Sequence, residues 1–402
     1  MPLIIKNPMV FDETYIPPQL HIRDKEAEFL LKRYMMKLST STSSSDITLI
    51  YGSIGRVGIG KTTLAKYVGN KLKEFAHTRG INFAVAYVNL YTVPSILEIL
   101  TVLASQVAPK LSVRGSSPLE ALKAIVDTLY RRDLYLLVIL DEFQQLIKSP
   151  RVDEEQLYIL LRIHEQVPSP DNTSRINYLL VAQDFTVLSY LKEKLPQVES
   201  QIGLRLHLKP YTAEELYTIL EQRAQQGLYP GVWDPGLLWT IAEFYGVDGN
   251  GRPEGSARKA IIALRIAAET AEAMGEHRIT EEHVRFALSQ DAVANINEAQ
   301  LRSLQKHELL LLLAVAMLSR DKKSYATTGE VREKYEYLAR IYGENPRGHT
   351  QFNLYMRKLD AIGLIEAKPS GKGMRGRTTL LRLAPEIPAQ HLVELLEKIL
   401  VS

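Results

Sequence analysis

The sequence predicts a chain in three parts: an α/β core on a parallel sheet, an all-helical segment, and a C-terminal unit of three helices with a β-hairpin. Three observations carry that prediction. Strand-length apolar runs alternate with helical patterns up to about residue 208, the arrangement that builds a parallel sheet covered by helices. An unbroken glycine-rich phosphate-binding pattern follows the first of those runs. Positive charge collects near the far end of the chain. The length of 402 residues suits two or three domains of about 150 residues, with expected bounds of 1–208, 209–296 and 297–402.

Composition excludes several classes of protein. The chain is 46% hydrophobic and 24% charged, the ordinary globular mix, which argues against a disordered or fibrous protein. It has no cysteine, so there is no disulfide framework, thiolate zinc site or cysteine nucleophile. The longest apolar run, Leu309–Leu318, falls well short of the roughly 20 residues a membrane helix needs. The opening Met-Pro-Leu-Ile-Ile-Lys-Asn-Pro lacks the pattern of a signal peptide. The expectation is a soluble cytoplasmic protein with no membrane partner. The nine histidines are scattered, without metal-ligand spacing, and there is no Gly-x-Ser-x-Gly nucleophile element.

In the first part, strands are expected at Ile47–Tyr51, Phe83–Asn89, Leu134–Leu140, Asn177–Ala182 and Leu204–Leu208, and the Ser/Thr-rich Leu38–Ser45 reads as a loop. Gly55-Arg-Val-Gly58-Ile-Gly60-Lys61-Thr62 lies between the first strand and an amphipathic helix carrying Leu64, Val68 and Leu72. Glycines let backbone N–H groups turn inward around phosphate oxygens, and the helix N-terminus adds partial positive charge. Lys61 is then placed to reach the β- and γ-phosphates and the Thr62 hydroxyl to hold Mg²⁺. The buried strand Leu134–Leu140 ends in Asp141-Glu142, at the strand end where ligands of parallel sheets collect. Asp141 is the expected Mg²⁺ anchor and Glu142 the group that polarises the attacking water. Together these residues describe an ATPase site.

The second part opens on Thr212-Ala-Glu-Glu215, a capping-box pattern. Thr280 with Glu281 and Glu282 opens a later helix, with acids at the positive end of its dipole, and a glycine-rich loop, Gly246–Gly255, interrupts the set. In the third part, three helices precede two short strands, Gly363–Ala367 and Thr378–Leu383, around a glycine-rich basic loop. A winged helix-turn-helix is the natural reading, with a closing helix at Gln390–Leu400.

Charge follows this division. Residues 297–402 carry 17 Lys/Arg against 12 Asp/Glu, and residues 346–382 carry eight against two, pointing to an anionic partner. Along the third helix, expected from Arg347 to Ala361, Phe352, Tyr355, Met356 and Leu359 form the core face. Arg347, Thr350, Asn353 and Arg357 fall on another face suited to phosphates and base edges. Lys372, Arg375 and Arg377 of the loop suit phosphates or a narrowed minor groove.

In this order, the P-loop, the Asp-Glu pair, a helical lid and a basic winged helix resemble the archaeal origin-recognition and replication-initiator proteins. These are AAA+ ATPases related to the eukaryotic origin recognition complex subunits and cell-division-cycle helicase loaders. Further segments carry the likeness. Val10-Phe-Asp-Glu-Thr-Tyr15-Ile16-Pro17, followed by Arg23, is similar to the segment that packs near the adenine. Pro210-Tyr211-Thr-Ala-Glu-Glu-Leu216 looks like the entry to the lid, and Gly255-Ser-Ala-Arg258 resembles the motif whose arginine reaches the γ-phosphate.

The resemblance implies nucleotide contacts from Tyr15, Ile16, Arg23, Tyr211 and Thr63, besides the phosphate loop, and catalytic roles for Glu142, Gln183 and Arg258. Two positions depart from the family pattern. Gln183 stands where the family usually has Asn, and Gln201 stands near a family arginine, with Arg205 a weak substitute. Slow hydrolysis, with ATP or ADP serving as a switch, is therefore expected. The resemblance also implies duplex DNA at replication origins, the minichromosome-maintenance helicase and paralogous initiator subunits as partners, and association with the chromosome. It suggests an added DNA-contacting helical element within Tyr91–Gly115. A signalling ATPase of the STAND type, with the winged helix engaged by protein, is the second reading.

Overall fold

Five parallel strands build the core sheet: β1 (Ile47–Gly52), β2 (Phe83–Asn89), β3 (Tyr135–Asp141), β4 (Ile176–Asp184) and β5 (Ile202–His207). Their order is β2-β3-β4-β1-β5, and every pairing is parallel. Each expected strand is present, displaced by two residues or fewer at either end. The computed structural model describes residues 3–401 apart from 40–44, 94, 114, 163–166, 168–172, 250–253, 295–300, 302–303, 322–324, 370–378, 385–386 and 388. A parallel sheet is covered on both faces, so its strands read as unbroken apolar runs, and in β3 every residue after Tyr135 is buried. Because β1 sits between β4 and β5, the chain leaves β1 in one direction and β3 in the other. The crevice above the strand ends opens there.

The helices of this part are α1 (Asp24–Ser39), α2 (Lys61–Thr78), α3 (Ile96–Val107), α4 (Pro118–Arg131), α5 (Phe143–Lys148), α6 (Glu154–Leu161), α7 (Thr186–Lys194) and α8 (Pro196–Glu199). Contrary to expectation, Leu38 and Ser39 continue α1, and Leu38 is buried. The helical segment follows as α9 (Ala213–Gly227), α10 (Pro235–Tyr245), α11 (Ala257–Ala273) and α12 (Glu281–Ala294). The capping box at Thr212 is formed: its side chain accepts from the Glu215 N–H at 3.2 Å, and the Glu215 carboxylate accepts from the Thr212 N–H at 3.0 Å.

The chain divides into two compact units, residues 3–265 and 266–402, the division falling within α11. In the second unit, α13 (Lys306–Asp321), α14 (Thr328–Ile341) and α15 (His349–Ala361) join a small antiparallel sheet of β6 (Ala326–Thr327), β7 (Ile365–Pro369) and β8 (Thr379–Leu383), ordered β6-β8-β7. The apolar run in α13 is explained by its surroundings. Leu310 through Val315 are buried, with α14, α15, α16 (Ala389–Val401) and β8 packed around them. The last helix belongs to this core through Leu392, Val393 and Leu396. Strand β6 was not anticipated, since two residues are too few for a periodic signal. Among the described residues no helix is long and apolar enough to cross a membrane.

Candidate active site and nucleic-acid interface

The loop between β1 and α2 turns on three glycines with positive φ: Gly55 (71°), Gly58 (73°) and Gly60 (85°). Two of them also permit close approach. A Cβ at Gly60 would collide with the Tyr211 hydroxyl, and one at Gly58 with Ser256 and Arg258 at the start of α11. The Gly58 carbonyl accepts from the Ala257 N–H at 3.0 Å, so the phosphate loop and the first residues of α11 are joined by backbone.

Together they enclose a cavity of about 470 Å³. Every residue expected at the nucleotide lines it except Gly55, Ile16 and Asp141. Gly55 serves the turn itself, with open space around it. The walls take Tyr15 and Pro17 but not Ile16. Burial pushes the Lys61 ammonium below the usual lysine range, and Glu142, Asp141 and Asp184 oppose that shift.

Asp141, buried at the end of β3, accepts through one carboxylate oxygen from the Thr62 hydroxyl at 2.9 Å and the Tyr87 hydroxyl at 2.8 Å. Its other oxygen accepts from the Glu142 N–H at 3.0 Å. Burial, followed by the Asp141 charge, holds the Tyr87 phenol far above its ordinary range. Glu142 has φ 56°, a left-handed conformation costly for a side-chain-bearing residue. The kink ends β3 and starts α5 at once, with Glu142 on the cavity wall. Gln144, buried behind it, donates to Glu142 Oε2 and accepts from the Gln183 N–H at 3.0 Å. Tyr87 and Gln144 escaped the sequence reading. Tyr87 meets Asp141 through the register that sets β2 beside β3, with Tyr87 opposite Ile139 and Asn89 opposite Asp141, and Gln144 meets Glu142 through the kink at residue 142, so neighbouring residues announce neither.

Arg23 lines the cavity but is committed to holding its walls together. Its guanidinium donates to the carbonyls of Ile59 and Lys209 and to the Tyr211 hydroxyl, pairs with Glu26, and lies 4.3 Å from the Tyr211 ring centroid. Tyr15 donates to Gln226 at 2.9 Å, with Arg223 over its ring at 4.5 Å. Arg258 is half-exposed and lies 3.5 Å from the Glu13 carboxylate. Gln201, with its amide oxygen turned toward Arg162, accepts from it at 2.8 and 3.0 Å. Arg205 pairs with Glu199 at 2.5 Å. Within Tyr91–Gly115 the one long helix, α3, buries its apolar face in the sheet core. Glu98, Thr101 and Ser105 lie on its exposed side, and the exposed Lys110 follows its end.

In the second unit, α15 starts at His349 with Gly348 as its N-cap. Arg347 therefore lies in the turn before the helix, not on its face, and its N–H donates to the Tyr335 hydroxyl at 3.2 Å. Phe352, Met356 and Leu359 are buried and Tyr355 half-buried, as the periodicity requires. Thr350 and Arg357 are exposed; Asn353 is partly exposed and bonded to His349 at 2.8 Å. Lys358 pairs instead with the buried Glu308 at 2.8 Å. Lys372, Arg375 and Arg377 lie outside the described residues.

Comparison with known proteins agrees with this layout. Residues 47–191 match the family described as AAA domain, residues 217–289 the Cdc6 AAA+ ATPase-type lid domain, and residues 299–389 the CDC6, C terminal winged helix domain. The chain is 48% identical over 398 residues to ORC1-type DNA replication protein 2 of Aeropyrum pernix, covering 99% of this chain and 97% of the relative. The chain belongs to the ORC1/Cdc6 family of replication initiators. Among solved family structures, the ORC2 protein of the same organism in ADPNP-ADP complexes is similar at TM-score 0.70 and 46% identity, over 99% of this chain and 98% of that one. The Aeropyrum pernix ORC1 protein in complex with DNA is similar at TM-score 0.60 and 26% identity, over 98% and 97%. Membership in this AAA+ family implies ATPase activity.

Proposed function

We propose that this ORC1/Cdc6-type protein binds duplex DNA at replication origins under control of bound ATP or ADP. There it recruits the replicative minichromosome-maintenance helicase together with paralogous initiator subunits, as a chromosome-associated protein of the cytoplasm. The proposed division of labour is a nucleotide core at 1–208, a lid at 209–296 and a DNA-binding unit at 297–402. The observation that carries the reading is the exposed side of α15, where Thr350 and Arg357 stand with Leu354 between them, opposite a core face of Phe352, Met356 and Leu359, in a chain that also builds the phosphate cavity. The nucleotide and DNA complexes solved for relatives support it.

In the cavity, Lys61 and the loop N–H groups hold the phosphates, while Thr63, Tyr15, Arg23 and Tyr211 complete the walls. Thr62 and Asp141 are paired oxygen donors beside the phosphate loop, a set that fits Mg²⁺. When bound there, the ion would neutralise charge on the β- and γ-phosphates. Glu142 polarises the attacking water, the Gln183 amide orients it, and Arg258 meets the γ-phosphate from the lid side. With Gln183 longer than the usual asparagine and Arg205 engaged by Glu199, turnover is slow, well below the typical enzyme value of about 10 per second.

On α15, Thr350, Asn353 and Arg357 meet base edges and phosphates, with Arg347 at the entry turn, and the basic Lys372, Arg375 and Arg377 farther along the sequence add phosphate contacts. Fluorescence anisotropy of labelled duplex DNA, with the full chain saturated with a non-hydrolysable ATP analogue, with ADP, or without nucleotide, tests the switch. Affinity that differs severalfold between the analogue and ADP is the expected result. Equal affinity in all three states would leave a DNA binder with no switch.

A further inference from the structure

Gln144 is 5% exposed and lies in the first turn of α5, behind the Asp141-Glu142 pair. Its amide nitrogen donates to Glu142 Oε2, and its amide oxygen accepts from the backbone N–H of Gln183 at the end of β4. Both partners fix the orientation of the amide, since the oxygen faces a donor and the nitrogen an acceptor. In a regular helix, side chains two residues apart do not face each other. Here the left-handed backbone of Glu142 breaks the regularity and lets residue 144 reach residue 142. The contact is built by the kink at the strand end.

We infer that Gln144 is a positioning residue for ATP hydrolysis. It ties the carboxylate at the end of β3 to the backbone at the end of β4, so that Glu142 and Gln183 meet the nucleotide as one unit. Burial makes the tie stiff, because an unpaired amide there would lose hydrogen bonds without gaining water. The inference rests on the reading that Glu142 polarises the attacking water. It adds that the water's position depends on an amide that does not itself line the cavity.

The test uses the full chain with Gln144→Met, Glu142→Gln and the double substitution. Gln144→Glu serves as a second variant that keeps the shape but has no N–H to offer. Steady-state phosphate release gives kcat and KM, a fluorescent ATP analogue gives Kd, and thermal melting reports the fold. Both Gln144 variants are expected to lower kcat by about tenfold or more, with KM and Kd within about twofold. Adding Gln144→Met to Glu142→Gln is expected to lower kcat no further, the mark of groups that act together.

An unchanged kcat in both Gln144 variants would overturn the inference. So would a loss that multiplies fully with Glu142→Gln, or one that tracks a falling melting temperature and a rising KM. If Glu142→Gln alone left kcat intact, the reading beneath would fail and the inference with it, a result distinct from a silent Gln144.

Discussion

The nucleotide cavity and the exposed face of α15 handle polar groups in opposite ways. Around the cavity, charged and amide side chains are held by backbone groups, hydroxyls and one another: Arg23 by two carbonyls and Tyr211, Asp141 by Thr62 and Tyr87, Gln144 by Glu142 and the Gln183 N–H. On α15, Thr350 and Arg357 stand in water. Groups fixed in advance cost little to use at the moment of reaction, which is what chemistry on a phosphate requires. Exposed groups give up hydration and freedom when they bind, and what they gain depends on salt. Substitutions should therefore be severe and local in the cavity, graded and salt-dependent on the helix.

The sharpest break should come from Lys61→Ala. It removes a partly desolvated ammonium from the phosphate loop, and ATP affinity should fall at least about 100-fold, near 3 kcal/mol. Isothermal titration with ATP measures this, and retained affinity would move the phosphates elsewhere. Gly60→Ala comes next. It meets both a φ of 85° and the Tyr211 hydroxyl, and affinity for the same nucleotide should fall about tenfold or more, with a strain of order 1–3 kcal/mol behind it. An alanine variant that binds normally would show that the loop is not held against Tyr211.

A smaller effect is expected at Thr327, whose side chain accepts from the Glu330 N–H and caps α14. Thr327→Ala should cost about 1 kcal/mol of stability, read by denaturant melting, and leave nucleotide binding untouched. The smallest effect concerns His307, stacked on Tyr355 and 2.9 Å from the Tyr335 hydroxyl. Burial, then the nearby Arg347, pushes its imidazole below the ordinary histidine range. The unfolded chain therefore binds a proton more readily than the folded one. This contribution to stability is present above the unfolded value of about 6.5 and is lost as pH falls through the lower folded value. His307→Gln should flatten the decline in melting temperature between pH 7 and pH 5, and an unchanged slope would remove His307 as its source.

Much of this was legible in sequence because it is local. The β1 and β3 runs, the glycine spacing, the Thr212 capping box and the 3.6-residue pattern of Phe352, Met356 and Leu359 are written in neighbouring residues. What escaped was made by three-dimensional register. Tyr87 reaches Asp141 only because β2 lies beside β3, and Gln144 reaches Glu142 only through the kink at residue 142. Arg23 was expected at the base, yet its donors are largely spent on carbonyls brought from Ile59 and Lys209. Arg347 was expected on the helix, but Gly348 caps α15 one residue later.

The most direct test of the account is a salt series of duplex-DNA affinity for the full chain and for the triple substitution Thr350→Ala, Asn353→Ala and Arg357→Ala. Wild-type affinity should fall linearly with salt concentration on logarithmic axes. The triple variant should bind more weakly by roughly 1–3 kcal/mol for each base edge it no longer reads, with a slope shallower by about one unit for each phosphate it no longer neutralises. Equal affinity and equal slope for both proteins, or no duplex binding by either, would contradict it.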